Sequence, residues 1–138
     1  MALEWREQLS VGNDLIDSDH KYLIEIINQA AQSLKAKDRR GVMTALDNLS
    51  QYSQTHFSRE EKIASAVGYT QLSPLHLAHE DLLVKLDQVK LEIYEKWNDV
   101  SAEHFSLLLR DWLINHVIKE DMLMKPLLKK HSPRFDPR

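Results

Sequence analysis

The chain has 138 residues, 43% of them hydrophobic and 28% charged, which is the composition of one folded domain rather than of a disordered segment. It contains no cysteine, which excludes disulfide frameworks, cysteine-bound zinc, iron–sulfur clusters and thiol catalysis. The formal net charge of −3, without a long basic run, argues against a nucleic-acid partner.

Neither a membrane-spanning nor a secretory segment is indicated. No stretch reaches about 18 uncharged apolar residues, and the first twenty residues lack an apolar core. We therefore expect a cytoplasmic protein that has no membrane partner. Three glycines and four prolines are few helix breakers for this length, and they favour helices over strands and turns.

The first half of the chain predicts an arm and two helices. Residues 1 to about 17 are mixed in character and predict an extended arm. The first helix should begin near residues 17–19, where Asp and Ser can cap free amides. A second helix should run from about Gly41 and end at Gly68. Two stripes in steps of three and four define their inner faces: His20, Leu23, Ile24, Ile27, Ala31 and Leu34, then Leu46, Leu49, Ser53, His56, Glu60, Ile63 and Val67.

The second half predicts two further helices and a tail. The third helix should open at Ser73-Pro74, and the fourth should run from about Ala102 to Pro126. Their stripes contain Leu75, His79, Leu82, Leu86, Val89 and Ile93, then Leu109, Trp112, Leu113, His116, Val117 and Met124. Short joints predict an all-α, up-down-up-down four-helix bundle over about residues 18–128, in a single domain. The remainder, about residues 129–138, should be loose.

Histidine is the most informative residue type in this sequence. Seven occur, and His20, His56, His79 and His116 fall one per predicted helix within the apolar stripes. Each buried imidazole without a partner would cost roughly 1–3 kcal/mol. A shared metal ion removes that cost, because neutral imidazole is a good ligand for iron, zinc, copper and nickel. The pattern therefore favours a metal site inside the bundle.

Carboxylates on the same stripes extend the candidate ligand set. His56 and Glu60 stand at i, i+4 and share one helix face. His116 is followed by Glu120 and Asp121, and the spacing alone favours Glu120, because i+5 is turned about 140° away in an α-helix. Asp121 could still reach the site if the helix is locally widened or if the site holds two metals.

These residues resemble the hemerythrins, particularly the single-domain bacterial ones. The resemblance rests on His20, the His56-xxx-Glu60 pair, a third-helix histidine pair ending at His79, and the His116-xxxx-Asp121 pair. Further similar segments are Leu3 to Trp5, Val11-Gly12, Ile16 to Lys21, Glu60-Glu61, Gly68-Tyr69 and Trp112 to His116. It extends over most of the chain, from about Leu3 to Leu128.

The resemblance implies a non-haem, oxo- or hydroxo-bridged di-iron centre that binds dioxygen. It would make Glu60 and Asp121 the bridging carboxylates, and this implication overrides the spacing-based preference for Glu120. His20 and His56 would bind the more open iron, where dioxygen attaches, and the third- and fourth-helix histidines would bind the other iron. The expected function is reversible dioxygen binding for storage, delivery or sensing rather than enzymatic turnover.

One departure from the family pattern concerns the third helix. The family has His-xxx-His, whereas this chain has His76-Leu77-Ala78-His79, and Leu75 stands four residues before His79. Either His76 still binds the metal, since i and i+3 share a helix face, or it points aside and leaves a coordination position open. We predict that His76 is a metal ligand.

Five apolar residues flank the proposed ligands: Leu23, Ile27, Trp112, Leu113 and Val117. They are ordinary core residues by position, and the resemblance implies that such residues also form the wall of the dioxygen pocket. His104 and His131 lie off the stripes and should be at the surface.

Two alternatives from other functional classes stay open. A di-iron redox enzyme (a peroxidase, an oxidase or a protein that processes nitric oxide) is one, although the ferritin-like Glu-x-x-His pattern is absent. A sensor of oxygen, redox state or iron that acts on a separate partner is the other. The sequence indicates no particular protein partner, and we expect a monomer or a weak oligomer.

Overall fold

All regular elements in the described part of the chain, residues 3–99 and 101–137 of a computed structural model, are helical. The helices are α1 (Asp14–Lys35), α2 (Arg39–Ala66), α3 (Leu72–Glu95), α4 (Ala102–Asp111), α5 (Lys119–Met122) and α6 (Lys125–Leu128). A π-helical segment, Trp112–Ile118, joins α4 to α5 without a break, so these three pieces form the fourth helix of the bundle. Short 3₁₀ turns occupy Glu7–Leu9 and Trp97–Asp99.

The helices pack in chain order around one interior. α1 packs on α2, α2 on α3, and the fourth helix closes the bundle against α1 and α3. Because the joints are short, consecutive helices run antiparallel. The predicted all-α, up-down-up-down four-helix bundle is confirmed. None of the helices within residues 3–99 and 101–137 has the length and apolar composition needed to cross a bilayer.

Three helices begin earlier than the sequence predicts, by one to five residues. α1 begins before residues 17–19, at Asp14, because the Asn13 side chain accepts a hydrogen bond from the Ile16 amide at 3.1 Å. α2 likewise begins at Arg39 rather than Gly41, with Asp38 as its cap. The predicted Ser73 cap of α3 is wrong, since the helix already begins at Leu72 without a side-chain cap. Gly68, at φ +78°, ends α2 as predicted.

The core consists of two apolar clusters. The larger cluster includes Leu23 and Ile27 of α1, Phe57 of α2, Leu82 of α3 and most buried residues of the fourth helix. The smaller cluster contains Val11, Ile16, Ile63, Ala64, Leu75, Met124 and Leu128. On every long helix, the nearest buried residues of the two clusters are six or seven positions apart, which is about two turns. Residues that belong to neither cluster therefore form a layer between the two clusters.

The N-terminal arm and the tail are both attached to the bundle. Leu3 and Val11 of the arm are buried, while Met1, Ala2 and the last tail residue, Arg138, lie outside the described residues. The tail was expected to be loose, but the Pro133 carbonyl accepts a hydrogen bond from the Asp14 amide at 2.7 Å. The Phe135 carbonyl accepts another from Asn13 Nδ2 at 3.1 Å, and its ring packs on the smaller cluster. The first amides of α1 lack partners inside the helix, and the tail satisfies one of them.

The Asn13→Ala variant tests this junction between the arm, α1 and the tail. It removes a buried helix cap and the bond to Phe135, so we expect a loss of about 1–2 kcal/mol in the free energy of unfolding. Urea unfolding followed by circular dichroism measures the difference. Asn98→Ala, in an exposed turn, is the control and should change stability by less than about 0.5 kcal/mol. Equal effects of the two substitutions would contradict the assigned cap.

Candidate metal centre

Four buried side chains meet in the layer between the two apolar clusters. His20 comes from α1, His56 and Glu60 from α2, and Asp121 from α5. Each residue offers one ligand atom, and these atoms all lie within 4.8 Å of one another. All four residues are completely buried. The structure thus brings together donors from three helices at a point that water does not reach.

The contacts within this cluster are short. His20 Nε2 lies 2.6 Å from Asp121 Oδ2, and His56 Nε2 lies 2.7 Å from Glu60 Oε2 and 3.6 Å from Asp121 Oδ2. His79, from α3, is 3% exposed, and its Nε2 lies 3.2 Å from the other Glu60 oxygen, Oε1. Glu60 therefore stands between two imidazoles, with one carboxylate oxygen facing each of them.

Burial and mutual charge control the protonation of these groups. Burial and the negative charge of Asp121 raise the pKa of Glu60 to about 7, against the opposing influence of His56. Burial also disfavours the charged form of Asp121, but hydrogen bonds with Glu60, His20 and His56 outweigh it and lower its pKa. Burial lowers the pKa of His20, whereas in His56 the carboxylates overcome burial and raise the pKa well above its usual value. Two acids in one dry layer thus require positive charge beside them, as protons or as a cation.

The donor set fits iron. Within the described residues, four buried atoms of the cluster make no hydrogen bond of acceptable geometry, although His56 Nε2 and Glu60 Oε2 lie 2.7 Å apart: His20 Nδ1, His56 Nε2, Glu60 Oε2 and Asp121 Oδ1. Buried polar atoms without partners are costly and uncommon in folded proteins. Imidazole nitrogens and carboxylate oxygens are ligands that iron accepts. A cation between them would satisfy atoms that the protein itself leaves without partners.

His76 lies outside the cluster. Its side chain is 54% exposed, and its Nδ1 lies 2.7 Å from Glu61 Oε1, while its Nε2 lies 3.0 Å from Glu80 Oε1. Leu75 occupies the inward position one turn before His79. His76 is only three residues before His79, so its side chain is rotated away from the interior. The structure therefore does not bring His76, predicted as a ligand, to the other candidate ligands, and it matches the alternative in which His76 points aside.

His116 also lies outside the cluster, contrary to its predicted place in the helix seam. Its side chain is 45% exposed, and its Nε2 lies 3.3 Å from Asp111 Oδ2. The π-helical segment explains the difference, because its wider turn places inward residues four apart. The inward series is Leu109, Leu113, Val117 and Asp121. This register buries Asp121, leaves Glu120 half-buried and turns His116 outward.

The remaining predicted residues lie as follows. Leu23, Ile27, Trp112, Leu113 and Val117 are all buried in the larger apolar cluster, as their core interpretation requires. Their role as a dioxygen pocket stays a prediction. His104 is exposed, and His131 is half-buried with its ring centroid 4.4 Å from that of Phe135.

Two carboxylates that contact the centre's histidines were missed by the sequence analysis as functional residues. Glu61 Oε2 lies 2.8 Å from His79 Nδ1. Asp19 accepts hydrogen bonds from His56, Tyr52 and Arg59. Burial opposes the ionisation of Asp19, but these bonds prevail and lower its pKa, while burial and Asp19 raise the pKa of Tyr52 to about 12. Two features of the sequence could have identified these carboxylates: Asp19 directly precedes His20, and Glu61 directly follows Glu60.

Comparison with known proteins identifies the family of the chain. The model of the hemerythrin HHE cation binding domain matches residues 11–128. The chain belongs to the hemerythrin family. It is 28% identical to bacteriohemerythrin from Stenotrophomonas maltophilia over 133 residues, which cover 96% of this chain and 86% of that protein. It is 30% identical to bacteriohemerythrin from Methylococcus capsulatus over 115 residues, covering 81% and 85% of the two chains.

A solved structure shares the fold. The crystal structure of wild-type hemerythrin superposes with a TM-score of 0.79 at 23% identity, covering 93% of this chain and 98% of that one. At this identity the similarity shows only that the two chains share a fold, and this fold agrees with the family assignment.

Chemical modification tests the placement of the histidines in this family member. With diethyl pyrocarbonate and the metal-free chain, we expect His76, His104 and His116 to react readily, because all three are exposed. His20 and His56 should be protected, because they are completely buried. Peptide mass spectrometry locates the modified residues. Rapid modification of His20 alongside His104 would contradict the buried layer, and protection of His116 would contradict the observed register of the fourth helix.

Proposed function

We propose that this protein holds a pair of iron ions in the layer between its two apolar clusters and binds dioxygen there reversibly. The observation that carries the proposal is the fully buried group of His20, His56, Glu60 and Asp121, whose ligand atoms all lie within 4.8 Å of one another. A buried group of this composition is best explained by cations that balance it. Membership of a family described as cation binding supports the same conclusion.

The geometry of Glu60 supports its assignment as a bridge between two ions. Its Oε2 faces His56 at 2.7 Å and its Oε1 faces His79 at 3.2 Å, so an ion on each side would share this carboxylate. Asp121 has one oxygen against His20 and a second, Oδ1, without a partner among the described residues. We assign His20 and His56 to one ion, His79 to the other, and the two carboxylates to both. His116, predicted as a further ligand, could join the second ion only if the π-helical segment turned it inward.

The apolar residues beside the centre give it the environment that reversible binding needs. Bound iron would supply the electrons that dioxygen accepts on binding. Leu23, Ile27, Leu113 and Val117 are no more than 2% exposed, and they pack in the cluster that borders the site. Trp112 is fixed in the same cluster by a 3.0 Å hydrogen bond from its Nε1 to the Leu82 carbonyl. Such a wall excludes water and, with it, the protons that would release reduced oxygen species.

Metal analysis with spectroscopy tests the function directly. We expect about two iron ions per chain, as in other di-iron helical bundles. The reduced protein should gain a visible absorption band on exposure to dioxygen and lose it under vacuum. A chain that holds only zinc, or whose band never reverses, would contradict reversible binding. Sustained consumption of peroxide by the iron-loaded protein would instead indicate the redox-enzyme alternative.

A pair of alanine substitutions tests the location of the site. His56→Ala removes a buried nitrogen of the cluster, so iron affinity should fall by at least the roughly 10–100-fold that loss of an outer-shell partner causes. His104→Ala removes an exposed imidazole and should leave affinity unchanged. Iron is measured by competition with a chelator, and circular dichroism shows whether each variant is folded. Equal losses in both folded variants would mean that the site lies elsewhere.

A further inference from the structure

Asp19 makes an unusually complete set of contacts for a carboxylate that lies outside the proposed ligand set. The residue is 2% exposed. Its Oδ1 accepts hydrogen bonds from Tyr52 Oη and Arg59 Nη1, each at 2.6 Å. Its Oδ2 accepts from Arg59 Nη1 at 2.7 Å and from His56 Nδ1 at 3.0 Å. Each oxygen has two donors, and the guanidinium balances the carboxylate charge, so Asp19 is held in one orientation.

The contact with His56 determines which ring nitrogen of His56 carries the proton. Asp19 accepts only, so Nδ1 must be the N–H that donates to it. When metal binding removes the second proton of the ring, the lone pair therefore lies on Nε2, which is the nitrogen directed at Glu60 and Asp121. His56 is thereby presented to the centre in the form that binds a metal.

The other two histidines of the centre are held differently. His79 Nδ1 also contacts a carboxylate, but Glu61 is 24% exposed and shares its charge with the exposed His76. His20 Nδ1 has no hydrogen-bond partner within residues 3–99 and 101–137. Among the three, His56 alone has a buried and charge-balanced carboxylate behind its ring.

We propose that Asp19 is a positioning residue for the metal centre, fixing the ring orientation and the Nδ1–H tautomer of His56 with the support of Arg59 and Tyr52. This inference rests on the proposed function, since it assumes that His56 Nε2 binds a metal. Without Asp19, the ring of His56 would adopt two tautomers and several orientations. Only a fraction of the molecules would then present Nε2 in the form that binds a metal. Partners of this kind commonly contribute 10–100-fold to metal affinity.

The experiment compares zinc binding by the full-length wild-type chain with that of Asp19→Ala and Asp19→Asn. Zinc is diamagnetic, so affinity by chelator competition and the histidine ¹⁵N spectrum can be measured on one sample. We expect Asp19→Ala to bind zinc about 10–100-fold more weakly. Asp19→Asn should lose less, because its side-chain oxygen can still accept the Nδ1–H bond. In the zinc-loaded wild type, His56 should show a protonated Nδ1 and a metal-bound Nε2.

Asp17→Asn is the matched control. Asp17 lies two residues earlier on α1, is half-buried, and accepts a hydrogen bond from the Val11 amide at 3.0 Å rather than from a histidine of the centre. It should keep the wild-type zinc affinity. A loss as large as that of Asp19→Ala would overturn the proposal, because it would show a general charge effect.

The remaining outcomes separate this inference from the proposed function. Wild-type affinity in both Asp19 variants, or zinc bound through His56 Nδ1, would overturn the positioning role and leave the proposed function standing. A wild-type chain that binds neither zinc nor iron would overturn both. If Asp19→Ala does not fold, the wild-type ¹⁵N spectrum and the Asp19→Asn affinity still decide the question.

Discussion

The bundle depends on a layer of acids and imidazoles enclosed between two apolar clusters. Each buried polar atom left without a partner costs about 1–3 kcal/mol, and a domain of this size has only about 5–15 kcal/mol of net stability. Four such atoms therefore approach the stability of the whole fold. The helices around the layer must keep these polar groups buried, which is energetically unfavourable. The packing of apolar side chains on both sides of the layer offsets this cost. The stability of the fold and the protonation or metal content of the centre therefore depend on each other.

Much of this arrangement follows from the spacing of residues along the sequence. His20, His56, Glu60 and His79 continue apolar stripes in steps of three and four, so any α-helix that buries the stripe also buries the polar residue. Their meeting in one layer follows from the antiparallel order of short-jointed helices. Chain ends were less predictable. The cap at Asn13 and the attachment of Phe135 depend on each other across most of the sequence, and local patterns contain no information about such a contact.

The fourth helix shows where periodicity fails. An α-helical count places His116 inward and prefers Glu120 over Asp121, whereas the structure buries Asp121 and exposes His116. One π-helical segment changes the register by enough to exchange these residues, and it carries no strong sequence signal of its own. Such segments often occur at functional sites. The resemblance to hemerythrins identified Asp121 correctly as an inward residue, although it also implied that His116 is a ligand, and the structure places His116 at the surface.

The outer contacts of the centre make its two sides unequal. Behind His56 stands the buried Asp19, whose charge the partly exposed Arg59 balances, whereas His79 is backed by Glu61, which also contacts the exposed His76. For the proposed dioxygen binding, the side with the more deeply buried carboxylate is better suited to a ligand that must bind and leave unchanged, because it limits the approach of water and protons. The side nearer to solvent is better suited to structural support of Glu60, the carboxylate that we propose as a bridge. The same contacts that hold each histidine thus give the two halves of the centre different environments, although both halves share Glu60.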